Sequence, residues 1–369
     1  FYAGVGGWSM ALSQAMQRCA PKRRLHRLAA LDHSDLCLKV LEHNFSSQST
    51  KTVSIETLTL AQVQEWNATI WCMSPPCQPH TRQHQNQQQD LLDPRSKSFL
   101  HLCDLLDQMD DSKLPRLLFI ENVIGFENSN SFQRCRHMLK KRNYKVGHFH
   151  LNPTQVGVPN DRPRYFGVAS RGAESNNDPS LSRYLNVEMS EQSSPRIQTS
   201  ISELGVVAPE NVTNLPRISQ FLDHDHSSHR LRIPDKLLNS SAAWCFDIVT
   251  LEDRRSACFT QSYGKFIRGT GSVLWQSTIE SNDTEACSRF ALIPPEEREF
   301  NPAWSKGLDL KKKLRYFSGM EVARLMGFDD AVFSFPPDCS LKQQWKLLGN
   351  SLNVKVAAAI VELGLRNLS

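Results

Sequence analysis

The chain has no CxxC pair, no apolar run approaching the length of a membrane span, no GxxxxGK[ST] phosphate loop and no internal repeat. Ten cysteines without such pairing, several in apolar stretches such as LHLCDLLDQM and ATIWCMS, read as free buried thiols of a reducing compartment. Zinc ligands and a disulfide framework are disfavoured on the same ground. No charged-then-apolar leader precedes the first element, so the sequence predicts a soluble protein of the cytoplasm, with the nucleus as a second compartment, and no membrane or metal partner.

What is present is a chain of 369 residues, long enough for one large domain with an insertion or for two domains. Lysine and arginine outnumber aspartate and glutamate by 43 to 38, a net charge of +5 that permits a polyanionic partner without requiring one. Clustering matters more than the sum. Basic runs stand at KRRLHR (22–27), RHMLKKR (136–142) and KKKLR (311–315), three places that a fold can gather onto one face or leave as solvated surface.

From the start to about residue 170, short β-rich apolar runs alternate with helical patterns, the sign of a mostly parallel sheet with crossover helices. Strands are predicted at 25–32, 68–74, 116–123, 144–151 and 164–170, and the chain opens at Phe1 within what reads as a strand cut short. The fold class is therefore α/β, a Rossmann-like doubly wound sheet, in which ligands bind outside the carboxyl ends of the strands. Residues 1–170 form the expected catalytic domain, 171–314 a smaller inserted region rich in loops, and 315–369 a return that completes the first domain. In that return Ser318 and Glu321 make a capping box that opens a helix.

Four places on the expected rim can carry chemistry. FYAGVGG sets glycines after a strand and before a helix, where the backbone turns tightly and a nucleotide can approach. Such a turn is as often mere packing, but Asp32 ends the next strand, where a carboxylate accepts from ribose hydroxyls. The missing phosphate loop then favours an adenosyl cofactor over a nucleoside triphosphate. In CMSPPCQP, prolines stiffen the turn around Cys77, which is either a small turn-filling residue or a nucleophile. Glu121 ends RLLFI, so it is either a cap for the next turn or, being buried, a proton donor. Arg162 and Arg164 stand at i and i+2 of an extended segment and are expected to project to one side, where they can grip a base carbonyl, a phosphate or Glu121. The tail QHQNQQQ (83–89) has nothing apolar to bury and reads as a lid that orders over substrate.

A cysteine, a carboxylic acid, two arginines and an adenosyl site on one rim suit a particular reaction. Thiolate addition to carbon-6 of cytosine, with proton donation at ring nitrogen 3, makes carbon-5 nucleophilic toward an activated methyl group. The base must be unstacked for this, as in a single strand or after base flipping.

These motifs, in this order, resemble the cytosine carbon-5 methyltransferases: FYAGVGG their cofactor loop, SPPCQP their nucleophile motif, ENV their glutamate motif, VPNDRPRYF their paired-arginine motif and GNSLNVKVAAAI their C-terminal motif. The resemblance covers about 1–170 and 315–369. It implies catalytic roles for Cys77, Glu121, Arg162 and Arg164 and S-adenosylmethionine as cofactor. Contact with that cofactor falls by motif on Val5, Gly6, Gly7, Asp32, His33, Ile55, Glu56, Ser74 and Ser351.

CFTQSYGKFIRGTGSVL (258–274) resembles the signature of the branch that methylates cytosine 38 of aspartate transfer RNA. The implied partner is transfer RNA, with weak action on DNA as a lesser prospect and a monomer as the working form. His80 departs from the family's usual phenylalanine, and the role of Cys258 is open between catalysis and shaping the recognition region. DNA methylation by the same chemistry is the nearest alternative. A silent nucleic-acid binder is a further one, though it would need neither the cysteine, the glutamate nor the arginines.

Overall fold

The computed structural model describes residues 1–45, 50–76, 93–172, 183–185, 195–223, 229–238, 240, 242–276 and 314–366. Cys77, His80, the glutamine tail and Lys311 to Lys313 lie outside these residues.

From Gly7 to Ser170 helix and strand alternate as α1 (Gly7–Cys19), β1 (Ala30–Asp32), α2 (Asp35–Asn44), β2 (Thr50–Thr52), α3 (Leu60–Trp66) and β3 (Ile70–Met73). There follow α4 (Lys97–Gln108), β4 (Leu117–Asn122), α5 (Asn130–Lys141), β5 (Lys145–Leu151) and β6 (Arg164–Ser170). Later come β7 (Ile197–Gln198), α6 (Asp235–Leu238), β8 (Asp247–Val249), β9 (Ser272–Trp275), β10 (Leu314–Arg315), α7 (Gly319–Leu325), α8 (Leu341–Gly349) and α9 (Val354–Arg366). The described chain divides into two compact units, one of residues 1–156, 163–211 and 354–369, the other of 157–162 and 212–353.

The first unit is the α/β unit. Its five-stranded sheet runs β3-β4-β6-β5-β7, and β1 pairs with β2 beside it. Residues 1–3 lie between these two groups, with Phe1 N donating to Cys72 O at 2.8 Å and Ala3 N to Leu31 O at 2.9 Å. Pairing is parallel where helices cross over (β1–β2, β3–β4) and antiparallel where β5 and β6 form a hairpin and β6 inserts beside β4. The sheet is therefore mixed, because a chain that turns back within a dozen residues can only pair antiparallel.

Every residue of β4 is buried, as a central strand covered on both faces requires. Leu118 and Ile120 face a core shared with α4 and α5, including Phe99, Leu102, Leu106 and Phe132. Leu117 and Phe119 face the other way, toward α9, where a Cβ on Gly364 would sit 2.7 Å from the Phe119 ring. Trp8 of α1 stands on this side too, its ring 6.0 Å from that of Phe119. Alternation along the strand then gives Glu121 to the α1 side and Asn122 to the opposite one.

The stretch Leu341–Arg366 has the length and hydropathy of a membrane span, which the sequence reading missed because Asn350 and Asn353 interrupt it. It is two helices, α8 and α9, and 83% of its most apolar part is buried.

The second unit holds the three-stranded sheet β10-β9-β8 and the capping box predicted for α7. Ser318 Oγ accepts from Glu321 N at 3.1 Å, and Glu321 Oε2 accepts from Ser318 N at 2.7 Å.

Candidate active site

The rim at the carboxyl ends of β1, β3 and β4 collects several of the predicted residues. The turn before α1 takes left-handed backbone at Tyr2 (φ 55°), Gly4 (φ 53°) and Gly6 (φ 93°). Glycine is required at position 6, since a Cβ there would meet the Phe45 ring at 2.6 Å. At Gly4 a Cβ would meet nothing within 4 Å, so open space lies beside that backbone. No side chain caps α1, which leaves the first amides of the helix for an anionic or carboxylate ligand. Val5 is buried beneath the turn and Gly7 begins the helix.

Asp32 is more committed than the sequence suggested. Its Oδ2 accepts from Gly4 N at 2.8 Å and its Oδ1 from Ser34 N at 3.0 Å, so it holds the glycine turn in place. A carboxylate has about four acceptor positions, and two remain. His33 is largely exposed, its Nδ1 3.6 Å from Asp32 Oδ1. Ile55 is buried at the start of a single helical turn, and Glu56 beside it is exposed. Ser74, just past β3, accepts from Trp8 Nε1 at 2.9 Å, which ties the first turn of α1 to the strand. Open space at Gly4, uncapped amides and exposed polar groups at 33 and 56 fit S-adenosylmethionine, which carries a carboxylate at one end and an adenosine at the other.

Glu121 is 7% exposed and accepts no hydrogen bond among the described residues. Its neighbour is Arg164, whose Nε is 3.6 Å from Glu121 Oε1. Register explains the contact. Glu121 pairs with Phe166, and Arg164 lies two residues from Phe166 on the same face of β6, the diagonal position across an antiparallel pair.

Arg162 does not join this pair, contrary to the expectation that both arginines project to one side. It precedes β6, where the i, i+2 rule for extended chain no longer applies, and its partners lie within the second unit. Its guanidinium donates to the carbonyls of Phe259 (2.9 Å), Gly349 (3.0 Å) and Ser351 (2.6 Å) and stands 3.1 Å from Cys258 Sγ. Ser351 is thus fixed through its backbone, and its side chain is buried. Cys258 is half-buried.

Sequence reasoning missed three positioning side chains. Asn122 Nδ2 donates to Pro75 O at 3.1 Å and its Oδ1 accepts from Val123 N at 2.8 Å, which links the ENV and SPPC segments. Trp8 holds Ser74, and Asn160 donates to Ser256 Oγ and Ala257 O. A polar residue following a buried strand was the available signal for Asn122; nothing local marked the other two.

The basic runs are partly absorbed. Lys141 on α5 pairs with Asp107 on α4, and Arg142, just past α5, pairs with Asp111; Arg134, ahead of the run at 136–142, pairs with Asp104. Arg315 is buried against Glu321. Lys22, Arg23 and Arg24 are exposed, while Arg27 folds over the Phe45 ring at 5.0 Å.

Residues 1–363 match the family described as C-5 cytosine-specific DNA methylase. The human tRNA (cytosine(38)-C(5))-methyltransferase is 32% identical, with 98% of this chain and 97% of that protein covered. A Dictyostelium discoideum DNA (cytosine-5)-methyltransferase is 31% identical over 98% of this chain and 92% of its own length. The crystal structure of S. pombe Dnmt2 methyltransferase superposes with a TM-score of 0.73 at 27% identity, covering 100% of this chain and 97% of that one. The chain belongs to the C-5 cytosine-specific DNA methylase family.

Proposed function

We propose that the protein methylates carbon-5 of cytosine in transfer RNA, at cytosine 38 of aspartate transfer RNA, through a covalent adduct on Cys77. The observation that carries the reading is Glu121, a carboxyl at the end of a central strand with an arginine at 3.6 Å and no hydrogen bond of its own. A carboxyl at a strand end that accepts no hydrogen bond keeps its acceptor positions free for a ligand. Likeness to proteins named for cytosine 38 of transfer RNA supports the choice of substrate.

The turn at Gly4 to Gly7, with Asp32, His33, Ile55, Glu56 and Ser74, would hold S-adenosylmethionine, which when bound supplies the methyl group. Cys77 adds as thiolate to carbon-6 of an unstacked cytosine, while Glu121 delivers a proton to ring nitrogen 3. The resulting enamine is nucleophilic at carbon-5. Arg164 keeps the Glu121 carboxyl in position and offers donors to the base carbonyl. Loss of the carbon-5 proton to solvent, return of the ring nitrogen 3 proton to Glu121 and cleavage of the carbon–sulfur bond leave Cys77 again as thiolate and Glu121 again as acid. Arg162 acts as a positioning residue through the carbonyls it holds.

DNA methylation is the reading favoured by the family description and by the Dictyostelium relative. One experiment separates the two. Purified protein with methyl-labelled S-adenosylmethionine is offered an aspartate transfer RNA transcript, the same transcript with cytosine 38 replaced, and duplex DNA. Label should enter the first alone and should vanish with Cys77→Ala. Efficient labelling of DNA with none in transfer RNA overturns the proposal, as does turnover by Cys77→Ala.

A further inference from the structure

We propose that the turn at residues 264–269 of the second unit is a single-stranded RNA contact, with Phe266 stacking on an unpaired base and Lys265 and Arg268 holding the flanking phosphates. It rests on the reading of RNA as substrate and names the residues that grip it.

Phe266 is 56% exposed, the most exposed large apolar side chain among the described residues. It is outside although its turn is tightly built. Ser262 O accepts from Lys265 N at 2.9 Å and from Phe266 N at 3.2 Å, and Thr270 Oγ1 donates to Phe266 O at 2.7 Å. Thr260 N donates to Thr270 O at 2.9 Å, closing the neck of the turn. The flanking side chains point inward. Ile267 is buried, and Tyr263 is locked by its hydroxyl, which donates to Ser272 O at 2.6 Å and accepts from Phe317 N at 3.0 Å. Its ring lies 5.1 Å from that of Trp345. Gly264, at φ 75°, presses so closely on Trp345 that a Cβ would come within 2.3 Å of the ring. The aromatic ring is therefore presented by a fixed backbone.

The charge along this segment of the chain is of one sign. Lys265 Nζ stands 5.1 Å from the Phe266 ring centroid, and Arg268 is exposed two residues further on. Neither makes an ion pair among the described residues, and no aspartate or glutamate occurs from Arg254 to Gln276. A half-exposed ring beside two cations that make no ion pair among the described residues matches a π-stacked base between phosphates. A duplex offers no free base face, so the turn selects a loop or single strand.

The test uses the full chain and four proteins: wild type, Phe266→Ala, Phe266→Trp and the Lys265→Ala/Arg268→Ala pair. Binding is read by fluorescence anisotropy with an RNA stem-loop and with a fully paired RNA of equal length, over a salt series. Phe266→Ala should weaken stem-loop binding about tenfold, leave the paired RNA within twofold, and leave the melting temperature unchanged. Phe266→Trp should restore binding, since stacking survives. Loss of the two cations should flatten the slope of log affinity against log salt by about 1.4 to 1.8. On transfer RNA, KM should rise in Phe266→Ala while kcat changes by less than about twofold.

Stem-loop binding by Phe266→Ala within twofold of wild type overturns the proposal. So does equal weakening by Trp and Ala. Failure of wild type to label transfer RNA would instead overturn the substrate reading, while anisotropy still decides the fate of the turn.

Discussion

Two of the arginine–glutamate pairs among the described residues are built to different standards. In the second unit Arg315 and Glu321 meet through two bonds of 2.7 Å, with side chains 2% and 1% exposed. Glu321 also accepts from Ser318 N and Asp223 N, so its acceptor capacity is filled. In the first unit Arg164 and Glu121 approach only to 3.6 Å, with side chains 18% and 10% exposed. A buried charge must be compensated from every side to be tolerated. Where compensation is complete the pair is scaffold; where it is left incomplete, room remains for a substrate group.

The first way to break this comparison is Glu121→Gln. It should slow the chemical step about a hundredfold or more, the range for a positioned acid, and change stability by less than about 0.5 kcal/mol. Single-turnover rates with transfer RNA, beside urea unfolding of the same protein, make the measurement. A rate within a few-fold of wild type would place Glu121 with the scaffold.

Glu321→Gln should behave in the opposite sense. It leaves the Arg315 charge buried without its partner, and the expected loss is about 3–5 kcal/mol, read as a lower urea midpoint at unchanged slope. The fraction that remains folded should retain its rate. Asn122→Ala falls between the two. It removes the donor to Pro75 O and should cost about 1–3 kcal/mol together with roughly a tenfold loss of rate, because the turn that leads to Cys77 loses its tether.

Much of this contrast was legible before any coordinates. The strands β3 to β6 fall inside the predicted spans because buried central strands read as continuous apolar runs between turn residues. Ser318 and Glu321 announced a helix start, since a capping box is complete within four residues. The partners of those glutamates were less legible. Arg164 reaches Glu121 through a register set 43 residues apart, and Asp104 neutralises Arg134 from another helix. Local rules see one chain segment at a time. They therefore predicted paired arginines and a ribose-facing Asp32, and in each case a distant backbone group was already engaged.

The smallest effect concerns a third buried titratable group, His148, and sharpens the rule that incomplete compensation has consequences. It is fully buried on β5, with Nδ1 2.8 Å from the Tyr165 hydroxyl and Nε2 without a partner. Burial, with the positive charge of Arg136 adding to it, pushes the imidazole down to about 4. The unfolded chain has the ordinary value near 6.5, so between these limits it binds a proton that the folded protein refuses. The contribution to stability is complete above pH about 6.5 and is lost as pH falls toward 4. Between pH 7.5 and 5.5 it amounts to about 1 kcal/mol. His148→Asn keeps a hydrogen-bonding group near the Tyr165 hydroxyl but cannot titrate. Urea midpoints of both proteins at the two pH values should show the variant losing about 1 kcal/mol less than wild type on acidification. An identical pH dependence in the two would assign the effect to other groups and leave His148 as packing alone.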